Sequence, residues 1–396
     1  MNLRQAFLTH VGQTSEYPMC IEVDYAEGMY IYSPDGKKYL DMDSGISVSN
    51  LGHRHPEVVK AIKNQLDKYL HTMVYGEHIQ SPQVRYALKL TSLLDPTLNA
   101  VYYTNCGTEA VEVAIKLARK ATGRTKIISC TKAYHGSTLG AESLRSDTEY
   151  TMHFMPGIPE VYHIHFNDED ALNTICDKTA CIILEPIQAE AGIRLPEEGY
   201  LKKVRERCDQ TGTLMILDEI QTGFGRTGHL FAHQWFEIVP DILLIAKGMG
   251  GGMPTGAVVA SKSLLDHFIK NPSLGHITTF GGHPVCIAAA EATLEVLVNE
   301  NGLLNSIQEK SDFITGKLHH PLVKEIRSAG FFIAVELISS DLIAPLILYT
   351  TEHGVLLDFF LFDPCSFRIA PPLIADYSHL EEAVKVIRDG LDKLNN

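Results

Sequence analysis

Four apolar runs in this chain end in residues able to do chemistry. TLMIL runs directly into Asp218-Glu219, and ILLIA runs directly into Lys247, which GMGGGMP follows. AVYYT leads to Asn105-Cys106-Gly107-Thr108, and ACIIL leads to Glu185-Pro186. A lysine at the rim of a sheet forms an imine with an aldehyde once it has lost its proton, and partial burial assists that loss. A carboxylate facing a pyridine nitrogen keeps it protonated, so the ring withdraws electrons from a substrate carbanion. A helix opening on Gly107-Thr108 offers free backbone N–H groups and a hydroxyl to a phosphate dianion. Together these groups describe a pyridoxal-phosphate site. Singly, each has a plainer reading: a solvated rim lysine, an Asp-Glu helix cap, a turn with its N-cap. Their occurrence together at consecutive strand ends carries the reading.

Such groups need rigid elements behind them. The strands expected are AVYYT from Ala100, KIISC from Lys126, VYHIHF from Val161, ACIIL from Ala180, TLMIL from Thr213, ILLIA from Ile242 and GAVVA from Gly256. Helices fit at 108–121, 198–211 and 284–299. Continuous apolar strands separated by helices predict a mainly parallel sheet covered on both faces, with ligands at the carboxyl ends of its strands. The first fifty residues read as strand and turn, with YIYSPDGKKYLDM placing two β-rich runs around Pro34-Asp35-Gly36. From Pro56, Val58, Val59, Ile62, Leu66 and Tyr69 fall at helical spacing, and another helix falls around Gln83–Leu94. After about residue 300 come a helix around 303–318, strands near Ile326 and over Phe332–Leu337, a helix around 341–353, FRIAP and a terminal helix from Ser378. The division expected is a large α/β domain over 51–295 and a small α+β domain built from 1–50 and 296–396.

A length of 396 residues is too great for one core, in keeping with two joined domains. Lys plus Arg number 34 against 48 Asp plus Glu, and the net −14 repels polyanions, so neither nucleic acid nor an acidic membrane face is an expected partner. MNLRQAFLTHVGQ lacks the apolar region of a secretory signal, and no apolar run approaches a membrane span. The eight cysteines form no CxxC pair and read as reduced thiols of a cytoplasmic protein. His163, His165, His319 and His320 have no carboxylate or cysteine set arranged around them, so no metal is expected.

Along nearly its whole length the chain resembles the class III aminotransferases of the ornithine and acetylornithine type. The segments that carry the resemblance are GKKYLDMDSGISVSNLGHRHP (36–56), YYTNCGTEAVEVAIKLAR (102–119), YHGSTLGA (134–141), ILEPIQAEAGI (183–193), LMILDEIQTGFGRTG (214–228), IAKGMGGGMPTGA (245–257), HITTFGGHPVCIAAA (276–290) and FRIAPPL (367–373). The resemblance implies the fold-type-I architecture of pyridoxal-phosphate transferases, with a seven-stranded mainly parallel sheet and a small α+β domain. It implies ping-pong transfer of an amino group, from the ω-amine of ornithine, acetylornithine or a related donor, to an oxo acid such as 2-oxoglutarate. Lys247 then carries the cofactor and shuttles protons, Asp218 pairs with the pyridinium nitrogen, and Gln221 reaches the phenolic oxygen. Tyr134 stacks on the ring, Gly107 and Thr108 hold the phosphate, and Glu185 belongs to the cofactor pocket. Thr279 completes the phosphate cradle from the neighbouring subunit of a homodimer. Arg368 grips a substrate carboxylate, and Glu190 pairs with it when a donor with a distal amine is bound. Racemisation or intramolecular amino transfer are the alternatives on this scaffold.

One departure bears on the donor. Arginine usually follows the His-Gly step in ornithine and acetylornithine enzymes, whereas this chain has Tyr134-His135-Gly136-Ser137. A serine hydroxyl cannot make the arginine's charge-assisted contact with a carboxylate. In MVYGEHIQSP (73–82), Tyr75 is a candidate donor-pocket residue. Gly223-Phe-Gly225-Arg-Thr-Gly228 matches the dinucleotide-binding GxGxxG, but Asp218 and Glu219 place two negative charges where a diphosphate would sit.

Overall fold

The most apolar runs of the chain become the centre of the molecule. The computed structural model describes residues 2–299 and 302–395. It begins with helix α1 (Leu3–His10) and strands β1 (Tyr25–Glu27), β2 (Tyr30–Tyr32) and β3 (Lys38–Asp41), followed by helices α2 (Pro56–Leu66) and α3 (Ser81–Thr91). Strand β4 (Ala100–Thr104) leads into helix α4 (Gly107–Thr122), then β5 (Lys126–Cys130), β6 (Val161–Ile164) and β7 (Thr179–Leu184). Helix α5 (Tyr200–Thr211) precedes β8 (Leu214–Asp218), β9 (Ile242–Ala246) and β10 (Gly256–Ala260), and helix α6 (Pro284–Asn299) closes this part.

All seven runs expected as strands join one sheet, in the order β4-β10-β9-β8-β7-β5-β6. β10 pairs antiparallel with both neighbours and the remaining pairs are parallel. Every residue of β7, β9 and β10 is buried, because helices cover both faces, and Thr179 is the one polar side chain in these three strands. On one face, α4 buries Ala110, Val111, Ala114, Leu117 and Ala118, a stripe at helical spacing. It stops at Gly123, whose φ of +68 suits a residue without Cβ. On the other face α6 packs on α2 and α3. Each fully buried Ile, Leu or Val in these layers contributes about 1.5–3 kcal/mol.

Two expectations are corrected. The strand ends bearing the chemistry are not all adjacent, since β10 lies between β4 and β9. It runs the other way, so its first residue, Gly256, is level with Thr104 and Ala246. The functional edge is thereby kept. The N-terminal region is also more than strand and turn. Asn2 and Gln5 form a reciprocal capping box that starts α1, although no residue of that helix is buried.

The remaining elements form two small sheets. β11 (Val323–Ala329), β12 (Phe332–Leu337), β14 (Asp358–Phe359) and β15 (Ser366–Ile369) assemble in the order β11-β12-β15-β14, after helix α7 (Ile307–Lys317). Helix α8 (Ile343–Glu352) leads to β13 (Val355–Leu356), and helix α9 (Tyr377–Asn395) ends the described chain. β13 pairs in parallel with β3, Val355 opposite Leu40, so late residues complete a sheet begun near the N-terminus. Ala370 N donates to Met42 O (2.7 Å), which lays the segment after β3 against the end of β15.

Candidate active site

A cavity of about 540 Å³ opens at the carboxyl edge of the large sheet. Gly107, Thr108, Tyr134, Glu185, Asp218, Gln221 and Lys247 all line it. Elements far apart in sequence meet here because parallel strands deliver their carboxyl ends to one edge.

Asp218 ends β8 buried, and its two oxygens are used differently. Oδ1 accepts from Ile220 N (3.0 Å), while Oδ2 lies 2.7 Å from Nδ1 of His135. Burial alone disfavours the charged form of His135, but its bond to Asp218 and the charges of Asp218 and Glu185 outweigh that and raise its pKa. The far ring nitrogen, Nε2, is buried without a partner. Glu185 accepts from the backbone N–H of Tyr134 (3.2 Å) and of Ala189 (3.0 Å). Burial pushes its carboxyl up to about 7, with His135 opposing the rise and Asp218 adding to it. Asp218 is thus held in one orientation at the wall of the cavity. Glu219 points elsewhere: it accepts from Ala232 N, His233 N and the His233 ring, and does structural work away from the site.

Lys247 leaves β9 with φ of +47, a left-handed turn that a non-glycine residue adopts only when its surroundings enforce it. Burial lowers its pKa to about 8, Arg368 adds to the fall, and the negative charges of Glu190, Asp218 and Asp43 oppose it. The amine therefore sheds its proton far more readily than a surface lysine. At α4 no side chain caps the helix start at Cys106. The Thr108 hydroxyl bonds that of Thr138 (2.8 Å), and a Cβ on Gly136 would lie 2.3 Å from Thr108 Oγ1. That close approach leaves a backbone cradle around an uncapped helix N-terminus, fitting a phosphate. With a buried carboxylate and a low-pKa lysine across the same cavity, the residues fit pyridoxal phosphate.

Beyond the cavity floor, Gln221 Nε2 donates to Glu190 Oε1 (3.1 Å), and Arg368 Nη2 donates to both Glu190 oxygens (2.7 and 2.8 Å). Leu361 N donates to Glu190 Oε2 (3.2 Å). Arg368 is 1% exposed, yet its Nε and Nη1 have no hydrogen-bond partner, and neither does Gln221 Oε1. Tyr134 lines the cavity half-buried, its hydroxyl 3.3 Å from Ser137 Oγ. Behind its ring stands Arg145, 5.6 Å from the centroid, and also facing Tyr150 and Phe362.

Four of the expected residues do not line this cavity within a single chain: Glu190 and Arg368 stand behind Gln221, and Thr279 and Tyr75 lie further off. Thr279 is exposed, and Tyr75 lines a second cavity of about 770 Å³ with Tyr102, His276 and Thr278. The GxGxxG segment forms turns whose glycines pack inward, Gly225 against Leu304 and Leu373, and only a four-residue helix, Ala232–Trp235, follows. His135, which lines the cavity and bonds Asp218, is not among the residues expected from sequence; its one signal is its place beside Tyr134.

Known proteins place this geometry. The Aminotransferase class-III family model matches residues 11–391. Acetylornithine aminotransferase of Methanopyrus kandleri is 37% identical over 387 residues, 96% of each chain. Ornithine aminotransferase 2 of Staphylococcus aureus is 38% identical over 398 residues, again 96% of each. Among solved structures, ornithine aminotransferase from Toxoplasma gondii superposes with a TM-score of 0.89 at 29% identity, covering 100% of this chain and 96% of that one. A second structure of that enzyme shows partial occupancy of PLP at its active site. An (S)-enantioselective omega-transaminase from Thermomicrobium roseum gives a TM-score of 0.91 at 26% identity, covering 99% and 98%. The chain belongs to the class-III aminotransferases, and it is a pyridoxal-phosphate-dependent transaminase of the fold-type-I architecture.

Proposed function

We propose that this enzyme takes the distal amine of an ω-amino donor and delivers it to a 2-oxo acid such as 2-oxoglutarate, in two half-reactions. The half-satisfied Arg368 carries the reading. A buried guanidinium hydrogen-bonded through Nη2 alone, with no hydrogen bond at Nε or Nη1 and only Asp358 at 3.8 Å from Nη1, is a carboxylate site with a resident competitor, Glu190. With Glu190 in place, the pocket takes a donor whose reacting end is an amine. With Glu190 turned aside, Arg368 offers its planar fork to the carboxylate of an oxo acid. The names of the ornithine and acetylornithine relatives support the same donor class.

Gly107 and Thr108 would hold the cofactor's phosphate, Tyr134 its ring face, Asp218 its ring nitrogen and Gln221 its phenolic oxygen. When bound, the cofactor supplies an electron sink for the carbanion left by deprotonation. Lys247 Nζ removes the proton from the donor carbon and returns it to the neighbouring acceptor carbon, a task suited to an amine with a pKa lowered to about 8. His135 fixes the Asp218 carboxylate, and Glu185 anchors the backbone of Tyr134. We take 51–295 as the cofactor-binding domain and 1–50 with 296–396 as the small domain bringing Arg368.

A second copy of the chain completes the site. Ile79 is 96% exposed and Phe280 54% exposed, beside the exposed Thr279 and the cavity holding Tyr75. Apolar surface of this kind favours a partner, which would bring Thr279 to the phosphate and Tyr75 toward the donor. Free cysteines fit a cytoplasmic location.

An absorption scan with pyridoxal phosphate, then a panel of ω-amines, then 2-oxoglutarate tests the reading. The cofactor band near the visible edge is expected to move to shorter wavelength with one amine and return with the oxo acid. Lys247→Ala is expected to lose turnover while keeping its fold. Substantial transamination by that variant, or racemisation of a donor without release of an oxo acid, would replace the reading.

A further inference from the structure

The loop 134–138 walls the cavity with Tyr134 and His135, and it is pinned at both ends. At the near end Glu185 accepts from Tyr134 N (3.2 Å), and His135 is tied to Asp218 (2.7 Å). At the far end the pin is Thr138. Its N–H donates to Thr108 Oγ1 (3.1 Å), its hydroxyl lies 2.8 Å from that same oxygen, and it donates to Glu112 Oε1 (2.6 Å). Ala141 N adds a second donor to Glu112 Oε1 (3.1 Å). Thr108 and Glu112 stand one turn apart on α4, so both face the same loop. The loop comes this close because positions 136 and 140 are glycines. A Cβ on Gly136 would collide with Thr108, and one on Gly140 with the Glu112 carboxylate.

Counting protons gives this chain of groups a direction. An ionised carboxylate only accepts, so the single hydroxyl proton of Thr138 lies in the 2.6 Å contact with Glu112. The contact between the two hydroxyls must then be filled by the Thr108 proton, donated to Thr138. Thr108 Oγ1 keeps only lone pairs, and the N–H of Thr138 takes one of them. A phosphate oxygen is an acceptor too, so it finds no donor in that hydroxyl while the chain is intact. Turning the Thr108 proton to a phosphate would leave two oxygens 2.8 Å apart with no hydrogen between them. The alternative is to strip Thr138 from Glu112, the charge-assisted and shortest bond of the chain. The backbone N–H groups at the start of α4 face no such competition, since no side chain caps the helix.

We propose that Thr138 is a positioning residue: with Glu112 ordering the protons, it ties the loop facing the cofactor's ring to the helix facing its phosphate, and the Thr108 hydroxyl belongs to that tie and not to the phosphate. This rests on the reading of the cavity as the pyridoxal-phosphate site and assigns its supports. From this chain the phosphate is held by backbone N–H groups of the helix start. Tyr134 keeps its place because its loop is fixed at Glu185 and at Thr138 alike.

The test titrates the apoprotein with pyridoxal phosphate and with pyridoxal, which lacks the phosphate, and reads the induced circular dichroism of the cofactor band. Thr138→Val and Thr108→Val keep the side-chain shape and lose the hydroxyl. Each is expected to weaken both ligands by a similar factor, about threefold to tenfold, and to lower the induced dichroism. The double variant is expected to bind no worse than either single one, because both cut the same chain. Thr138→Ser keeps the hydroxyl and is expected to restore both affinities and the dichroism, which a mere loss of packing would not allow. A Thr108→Val protein that loses affinity for pyridoxal phosphate alone, and holds pyridoxal as the wild type does, would make that hydroxyl a phosphate ligand and overturn the proposal. So would a Thr138→Val protein with wild-type affinities and dichroism. A wild type that gives no band with pyridoxal phosphate would instead remove the cofactor site itself, and the role of the tie with it.

Discussion

Two buried arginines stand on one face of the same four-stranded sheet, and the protein treats them in opposite ways. Arg327 on β11 and Arg368 on β15 both pair with Ala334 of β12, so all three side chains share a face. Arg327 uses every nitrogen. Nε donates to Gly192 O (2.7 Å), Nη1 to Glu325 and Glu336 (2.5 Å each), and Nη2 to Asp363 (2.6 Å) and Ser366 (3.1 Å). Arg368 uses Nη2 on Glu190 and leaves Nε and Nη1 without a hydrogen bond, Asp358 standing 3.8 Å from Nη1. Removing a partner from a saturated buried ion pair costs stability, because it strands the other charge. A guanidinium left half-engaged has capacity for a ligand. Arg327 clamps Gly192 and so fixes the loop carrying Glu190, while Arg368 meets what arrives. The anchor lies beside the switch, and only the switch is incomplete.

The sharpest way to break this comparison is to damage each arginine in turn. Arg327→Met takes the shared guanidinium from Glu336 and Asp363, which keep Lys324, Ser366 and the nearby Arg194, and is expected to cost about 1.5–3 kcal/mol of stability in urea unfolding. Arg368→Lys keeps the charge but loses the fork. It is expected to raise KM for the oxo acid about 10–100-fold while changing stability by no more than about 1 kcal/mol. If the two variants exchanged these phenotypes, the division into anchor and switch would be wrong. Glu190→Gln probes how far the switch reaches. Below about pH 8 the Lys247 ammonium dominates and above it the free amine, so capture of pyridoxal phosphate by the apoprotein should quicken through that pH. Glu190 raises the Lys247 value, so its neutralisation moves the midpoint downward in a rate-against-pH profile; an upward shift would contradict the coupling. The smallest expected effect is that of Ser366→Ala. It removes one of Arg327's contacts, about 0.5–1.5 kcal/mol of stability, and leaves KM for the oxo acid unchanged.

Much of the site was legible because its residues terminate strands. Runs such as ILLIA and TLMIL are strands of a covered sheet, and the next residue must lie at the functional edge, which placed Lys247 and Asp218. Strand order was not legible, because GAVVA reads the same in either direction and nothing local marks β10 as antiparallel. Tertiary polar partners were equally hidden. The bond from His135 to Asp218 spans 83 positions and that from Arg327 to Asp363 spans 36, so no local spacing announces either. The helix α1 could have been read from Asn2 and Gln5.

The parallel pairing of β3 with β13 has a consequence for biosynthesis. Leu40 waits for Val355, and Lys37 Nζ for the Glu352 carbonyl, a separation of 315 positions. At roughly 5–20 residues per second, a ribosome needs roughly 15–60 s to make that span. During that interval β3 is an uncovered strand edge on a nascent chain, a template for mispairing. A message broken before codon 355 would therefore yield a product that lacks Arg368 and keeps that edge exposed, so premature termination should send the product to chaperones or aggregates rather than leave a partly active enzyme.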